Sequence, residues 1–229
     1  MTLFADRRDA GRALAVVVRM EFTRGIHNEP LVLAIPRGGV PVGRDVAAAL
    51  GAELDLVVPR KIGAAANPEY GIGAVMPDGT LYLDPAAVAM TGSRPEYIEA
   101  EKAREMEEAS RRLRAYRAGR PEPVVKGRSV VVVDDGIATG ATMTVALRWV
   151  RSQRPAEVVA AAPVAPPSTV ERLKGEADRV VCPNAVEPFY AIGAFYDDFR
   201  PVTDEEVQSI LQEYWNRGAG GVKRWSQRQ

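Results

Sequence analysis

The sequence predicts an α/β protein with a mostly parallel central sheet flanked by helices. Three observations lead there. Short apolar runs, such as Leu31–Ile35 and the four valines after Ser129, have the composition of strands buried on both faces. Segments of helical period alternate with them, which implies parallel βαβ units. Two of the runs end in Gly-rich turns, where ligands bind on such sheets: at the carboxyl ends of strands, near a switch in strand order.

The elements follow in order. Asp6 can cap a first helix in which Ala10, Leu14, Val17 and Val18 recur at helical spacing. Leu31–Ile35 is a strand ended by Pro36-Arg37-Gly38-Gly39. Val40–Leu50 is a helix stopped by Gly51. Leu54–Val58 is a second buried strand, followed by Arg60-Lys61-Ile62-Gly63. Ala64–Tyr70 is expected to be loop. Gly73–Met76 and Thr80–Leu83 flank Pro77-Asp78-Gly79, a hairpin signal. Pro95–Arg117 is a long helix with opposite charges four apart at Glu107/Arg111 and Glu108/Arg112, which is the pattern of a solvated face. Ser129–Val133 is a strand running into Asp134–Thr142, and Met143–Arg151 a helix. Glu157–Val164 is a strand, Thr169–Lys174 a short helix, and Arg179–Cys182 a strand. Thr203 and Glu206 form a capping box that opens a last helix to about Trp215. Residues 1–215 are expected to form one domain, with a small subdomain around 183–200. The Gly-rich, basic tail 216–229 is expected to be disordered.

Composition removes several function classes. The chain has 229 residues, 30 basic and 30 acidic side chains, one Cys and one His. One Cys excludes an intrachain disulfide framework, and one His excludes a His-cluster metal site. Zero net charge supplies no bulk field for nucleic acid, so nucleic acid is not expected as a partner. No stretch reaches the roughly 18 apolar residues of a membrane span, and the N-terminus does not have a signal-peptide pattern. A cytoplasmic protein without membrane attachment is expected.

The chemistry concentrates in Asp134-Asp135-Gly136-Ile137-Ala138-Thr139-Gly140-Ala141-Thr142. Two acids end a buried strand, and a Gly/Thr turn then opens a helix. That turn aims backbone N–H groups and the hydroxyls of Thr139 and Thr142 at one spot, on the positive end of the helix dipole: a phosphate cradle. No Lys follows the last glycine, so it is not a Walker A loop, and GxGxxG is missing. The acids can accept hydrogen bonds from vicinal sugar hydroxyls or hold a hydrated Mg²⁺. A phosphate cradle beside diol acceptors describes a ribose 5-phosphate site. Two buried acids in sequence are costly without a ligand or cation.

Val130–Thr142, VVVVDDGIATGAT, resembles the thirteen-residue phosphoribosyl-pyrophosphate (PRPP) motif of type I phosphoribosyltransferases. The resemblance runs from about Leu31 to Phe199 and implies a Rossmann-like core. PRPP synthetases carry a similar motif but are longer, with two related domains. By this resemblance, Asp134 and Asp135 contact the ribose hydroxyls, directly or through a Mg²⁺ that they hold by way of water. Ala138, Thr139, Gly140, Ala141 and Thr142 hold the 5-phosphate. Arg37, Gly38 and Gly39 match the pyrophosphate loop. Lys61, and less strongly Arg60, is placed to reach the pyrophosphate, and Arg60–Val75 to form or support a closing loop. Arg37, Lys61, Asp134 and Asp135 are the catalytic candidates. Val186–Phe199 resembles the hood over the base in purine-type members, with Tyr190, Phe189 and Asp197 as base-binding candidates. Homodimers are common in the family, and a homodimer is expected on that ground.

The implied reaction joins a nitrogenous base to C1 of PRPP and displaces pyrophosphate, with Mg²⁺ as cofactor. Two departures bear on the base. In 6-oxopurine enzymes the fifth motif position is an acid, and here it is Ala138. Those enzymes carry a Lys after the next strand, and here that region is Pro163-Val164-Ala165-Pro166-Pro167. Two other classes stand beside this reading: a PRPP- or nucleotide-sensing module without turnover, and a nucleotide-cleaving or phosphorolytic enzyme using the same pocket. A serine hydrolase is not supported, because GxSxG is absent and His27 falls in an expected loop. The four basic residues of the tail (Arg217, Lys223, Arg224, Arg228) leave residues 1–215 with four acids in excess. A substrate as anionic as PRPP must therefore be held by local positive features.

Overall fold

The computed structural model describes residues 2–23 and 29–221; His27 and residues 222–229, with Lys223, Arg224 and Arg228, lie outside them. Asp6 caps helix α1 (Arg7–Thr23), its Oδ1 accepting the N–H of Asp9 at 2.8 Å. Strand β1 (Leu31–Ala34) leads into α2 (Gly39–Leu50). Gly51 ends that helix at φ 59°, a left-handed conformation that costs glycine little. Strand β2 is Glu53–Leu56. Then come β3 (Arg60–Ala64), β4 (Asn67–Val75), β5 (Leu81–Leu83), α3 (Pro85–Thr91) and α4 (Pro95–Arg117). Strand β6 (Ser129–Val133) and α5 (Ala141–Ser152) follow, then β7 (Glu157–Ala161), β8 (Val164–Ala165), α6 (Pro167–Leu173), β9 (Arg179–Val181) and β10 (Asn184–Ala185). A 3₁₀ turn at Ile192–Phe195 precedes α7 (Asp204–Gly221).

Five strands form a parallel sheet in the order β2-β1-β6-β7-β9. Leu31 lies opposite Glu53 on one side and Val130 on the other. Period-2 alternation then sorts the strand residues. Val32, Ala34, Val131, Val133, Val159 and Ala161 pack with α1, α2, α4 and α7. Leu31, Leu33, Val130, Val132, Val158 and Ala160 pack with α5 and α6. Both faces are buried, so the strands are mostly apolar, and buried Asp55 of β2 is paired with Arg117 at 3.0 Å.

The expected loop at Ala64–Tyr70 is instead part of a hairpin. β3, β4 and β5 make a three-stranded antiparallel sheet, bulged at Ile62/Gly63 and Gly63/Ala64. Glycines on these strands mark close backbone approach. A Cβ at Gly63 would lie 2.3 Å from the Pro68 carbonyl oxygen, and one at Gly73 would lie 2.2 Å from that of Tyr82. The Pro77-Asp78-Gly79 turn forms as expected, with Gly79 at φ 90°.

The strand expected over Glu157–Val164 divides at Ala162-Pro163, since Pro163 has no N–H to continue the ladder. Its second part, β8, pairs with β10 in a separate two-stranded sheet. On α4, Glu108 binds Arg111 at 2.7 Å and Arg112 at 2.6 Å, and these hydrogen bonds lower its carboxyl to about 2. Arg111 thus pairs three residues back, with Glu108. Thr203 and Glu206 form the reciprocal capping box, at 3.1 and 2.7 Å. α7 continues to Gly221, past the expected end at Trp215. Tyr214 and Trp215 hydrogen-bond the carbonyls of Ala52 and Leu54 at 2.7 and 2.8 Å, fastening this helix beside β2. Among the described residues no helix is long and apolar enough to cross a membrane.

Candidate sugar-phosphate site at the sheet switch

β1 is bordered by β2 on one side and by β6 on the other, so strand order reverses at the β1/β6 boundary. Open parallel sheets have a crevice at such a point. The loops that leave these two strands are Pro36–Gly39 and Asp134–Gly140, the two Gly-rich turns. Their contact is tight. A Cβ at Gly38 would lie 1.9 Å from Asp135 Oδ2, and one at Gly39 would lie 2.7 Å from the Val133 carbonyl oxygen. Only residues without a Cβ let the first turn lie against the second. The Pro36–Arg37 peptide is cis.

The two acids have different surroundings. Asp134 is partly exposed, and its Oδ1 accepts the N–H of Asp135 at 2.8 Å. Asp135 is buried, and its Oδ2 accepts from Arg7 Nε at 2.7 Å. Tyr196 Oη donates to the Asp135 carbonyl at 2.5 Å. Burial raises both carboxyls above the usual range. The neighbouring Asp135 charge raises Asp134 further, whereas Arg7 opposes the rise at Asp135. The cost expected of two consecutive buried acids is offset at Asp135 by a counter-charge of the protein itself, Arg7. It lies 128 positions away in the chain, so no local motif announces it.

The loop expected to cradle a phosphate leads into the start of α5. Gly140, at φ 75°, lets the loop turn into the helix, and Thr144 N–H donates to its carbonyl at 2.8 Å. Ala138 and Thr139 are exposed, Ala141 is buried and Thr142 partly buried. The loop is tied to α6. Thr169 Oγ1 donates to the Ala138 carbonyl at 2.8 Å, and Arg172 Nη2 donates to the Thr139 carbonyl. Arg172 is exposed beside this anion-receptive loop and was not identified from the sequence. Its only sequence signal is a cationic position on the helix after the next strand, which is too common to single out.

The remaining candidates divide. Arg37 is exposed and lies 3.6 Å from Asp204 Oδ1 at the start of α7. The same Asp204 oxygen accepts from Tyr116 Oη at 2.6 Å. Lys61 Nζ donates to the Glu69 carbonyl at 3.0 Å, with Glu69 Oε2 at 3.4 Å, so its described bonds stay on the hairpin. Arg60 binds the buried Glu105 at 2.7 Å, docking β3 on α4.

The hood residues are mostly structural. Phe189 packs on Phe195 with ring centroids 5.0 Å apart, and Tyr196 on Phe4 at 5.4 Å. Asp197 donates its N–H to the Phe4 carbonyl at 2.9 Å, and its side chain is exposed. Tyr190 is 88% exposed, an aromatic outside this cluster. The hood reaches the acids through Tyr196 and through Ile192, which fills the space a Cβ at Gly136 would occupy, 2.5 Å away.

Fold and site define a class: a doubly wound α/β protein with an anion cradle and an acid pair at the switch point. The phosphoribosyl transferase domain family matches residues 9–200, and the chain belongs to that family. The solved structure of TT1426 from Thermus thermophilus is similar, with 46% identity and TM-score 0.75, covering 93% of this chain and 99% of that one. AQ2163 from Aquifex aeolicus, at 15% identity and TM-score 0.52 over 82% of this chain and 78% of its own, shares the fold. A Mycobacterium tuberculosis protein provisionally named a phosphoribosyl transferase is 39% identical over 211 residues, 92% of this chain. The match takes in 47% of that relative, so the chain spans about half the length of the curated relatives it matches.

Proposed function

We propose that the protein transfers the ribose 5-phosphate of PRPP to a nitrogenous base, releasing pyrophosphate, with Mg²⁺ as cofactor. The observation that carries this reading is the abutment of the two Gly-rich turns at the sheet switch. It brings the turn that carries Arg37 against the acid pair, on the loop that leads into α5. In this reading the N–H groups and hydroxyls of residues 138–142 bind the 5-phosphate. Asp134 and Asp135 accept from the ribose hydroxyls, and Arg37, Gly38 and Gly39 receive the pyrophosphate.

Among the described residues there is no group of three or more His, Cys, Asp or Glu side chains that could hold a metal. Mg²⁺ is ordinarily bound by one or two carboxylates plus substrate phosphates and waters, and the partly exposed Asp134 with Asp135 behind it fits that mode. When bound, the ion would neutralise charge on the leaving pyrophosphate. The residues themselves orient the sugar and exclude water from an oxocarbenium-like transition state. Lys61 would have to leave Glu69 to join them, which ties its role to movement of the β3–β4 hairpin. Ala138 has no side-chain base, so the proton of the attacking nitrogen is not taken by position 138.

A screen of nitrogenous bases with PRPP and Mg²⁺, read as pyrophosphate release, tests the proposal. Release with one class of base is the expected result. Saturable PRPP binding without release from any base would replace the transferase with a sensor. Arg172→Ala is expected to raise the KM for PRPP by about tenfold with little change in kcat, because it removes a cation beside the phosphate loop. Steady-state kinetics with varied PRPP checks this.

A further inference from the structure

We infer that Arg7 is a positioning residue of the site, a clamp that fixes Asp135 and joins the first helix and the hood to the acid pair. The inference rests on the proposed PRPP site. Arg7 is used on three sides. Nε binds Asp135 Oδ2 at 2.7 Å, Nη1 donates to the Arg200 carbonyl at 2.8 Å, and the guanidinium lies 3.8 Å from the centre of the Phe199 ring. Its side chain is 11% exposed and that of Asp135 9%, so neither is a loose surface group. On its other flank Asp135 meets Gly38, where a Cβ would lie 1.9 Å from the same Oδ2.

The two acids therefore do different work. Asp135 is held by one oxygen between a guanidinium and the pyrophosphate turn, which aligns that turn with β6. Asp134, partly exposed and anchored by the Asp135 N–H, presents the more accessible carboxylate to a ligand. A planar guanidinium suits this task because it bonds in its plane and stacks through its face; an ammonium does neither. The hood thereby acquires a role beyond covering the base: Phe199 and the Arg200 carbonyl set the angle of Arg7, and Arg7 sets the carboxylate.

The test is steady-state kinetics and calorimetric PRPP titration, with Mg²⁺, on the wild type, Arg7→Ala and Arg7→Lys. Arg7→Ala should raise the KM for PRPP by about tenfold or more and change kcat by less than about threefold. Millimolar guanidinium, but not NaCl at equal ionic strength, should restore the KM. Arg7→Lys keeps the charge and most of the stem, and should show the same KM defect in a folded protein. An unchanged KM in either variant, or a defect in Arg7→Ala that guanidinium leaves in place, would overturn the clamp. If Arg7→Ala does not fold, Arg7→Lys decides alone. Wild-type protein that neither binds PRPP nor releases pyrophosphate would instead overturn the proposed function, and the clamp's role in it.

Discussion

Asp134→Asn combined with Asp135→Asn should abolish PRPP-dependent pyrophosphate release, a loss of at least about a hundredfold, the scale seen when one preorganised electrostatic contact is removed from a reacting site. The substitutions keep shape and remove charge. Asn at 135 can still accept from Arg7 through its amide oxygen, and Asn at 134 can still accept the following N–H, so the bonds at 2.7 and 2.8 Å have replacements. The fold should survive, seen as one cooperative thermal transition. Burial already disfavours both ionised carboxylates, raising each above its usual range. Carboxyls shifted by burial in this way are what a working site would show. Unchanged turnover in the double variant would sink the mechanism. Loss of turnover together with loss of the thermal transition would assign the acids to folding.

What the sequence displays and what it conceals follow from the range of the interactions. β6 is legible because five buried residues in a row require an apolar run. The start of α7 is legible because a capping box closes within four residues. The Asp134–Thr142 motif is legible for the same reason, since its residues are contiguous in the sequence. Arg7 is not, because its bond to Asp135 spans 128 positions, and an Asp-Arg-Arg run at a helix start is an ordinary surface pattern. The surroundings of Lys61 are likewise set at a distance: its position after β2 points to the pyrophosphate, and the antiparallel partner β4 brings Glu69 within its reach. That partner is concealed because Ala64–Tyr70, which holds the first half of β4, reads locally as loop. The space that Gly63, Gly71 and Gly73 clear is visible only once Pro68, Lys61 and Tyr82 are in place.

The same steric logic gives the sharpest structural prediction. Gly39→Ala should remove more activity than any other one-methyl change near the site. A Cβ there would lie 2.7 Å from the Val133 carbonyl oxygen and 3.0 Å from Asp134 Cα. Both are backbone atoms of β6 and its turn, so no side-chain rotation relieves the contact. Either the Pro36–Gly39 turn lifts or the acid turn recedes, and each separates the anion loop from the acids. Overpacking of this kind costs about 1–3 kcal/mol of stability. Displacement by a fraction of an ångström at reacting groups costs more in rate, up to about a hundredfold for 1 Å. Gly38→Ala acts differently. It presses on Asp135 Oδ2, an atom that could swing aside were it not held by Arg7, so it should mimic loss of the clamp and raise the KM for PRPP. Gly175→Ala is the control. Its nearest contact would be the Arg172 carbonyl oxygen at 3.5 Å, an ordinary van der Waals distance, and activity and Tm should stay near wild type. Thermal unfolding and PRPP kinetics on the three variants separate the cases. Equal, small effects at positions 38, 39 and 175 would show that the two turns can part without consequence, and that their close approach is not what builds the site.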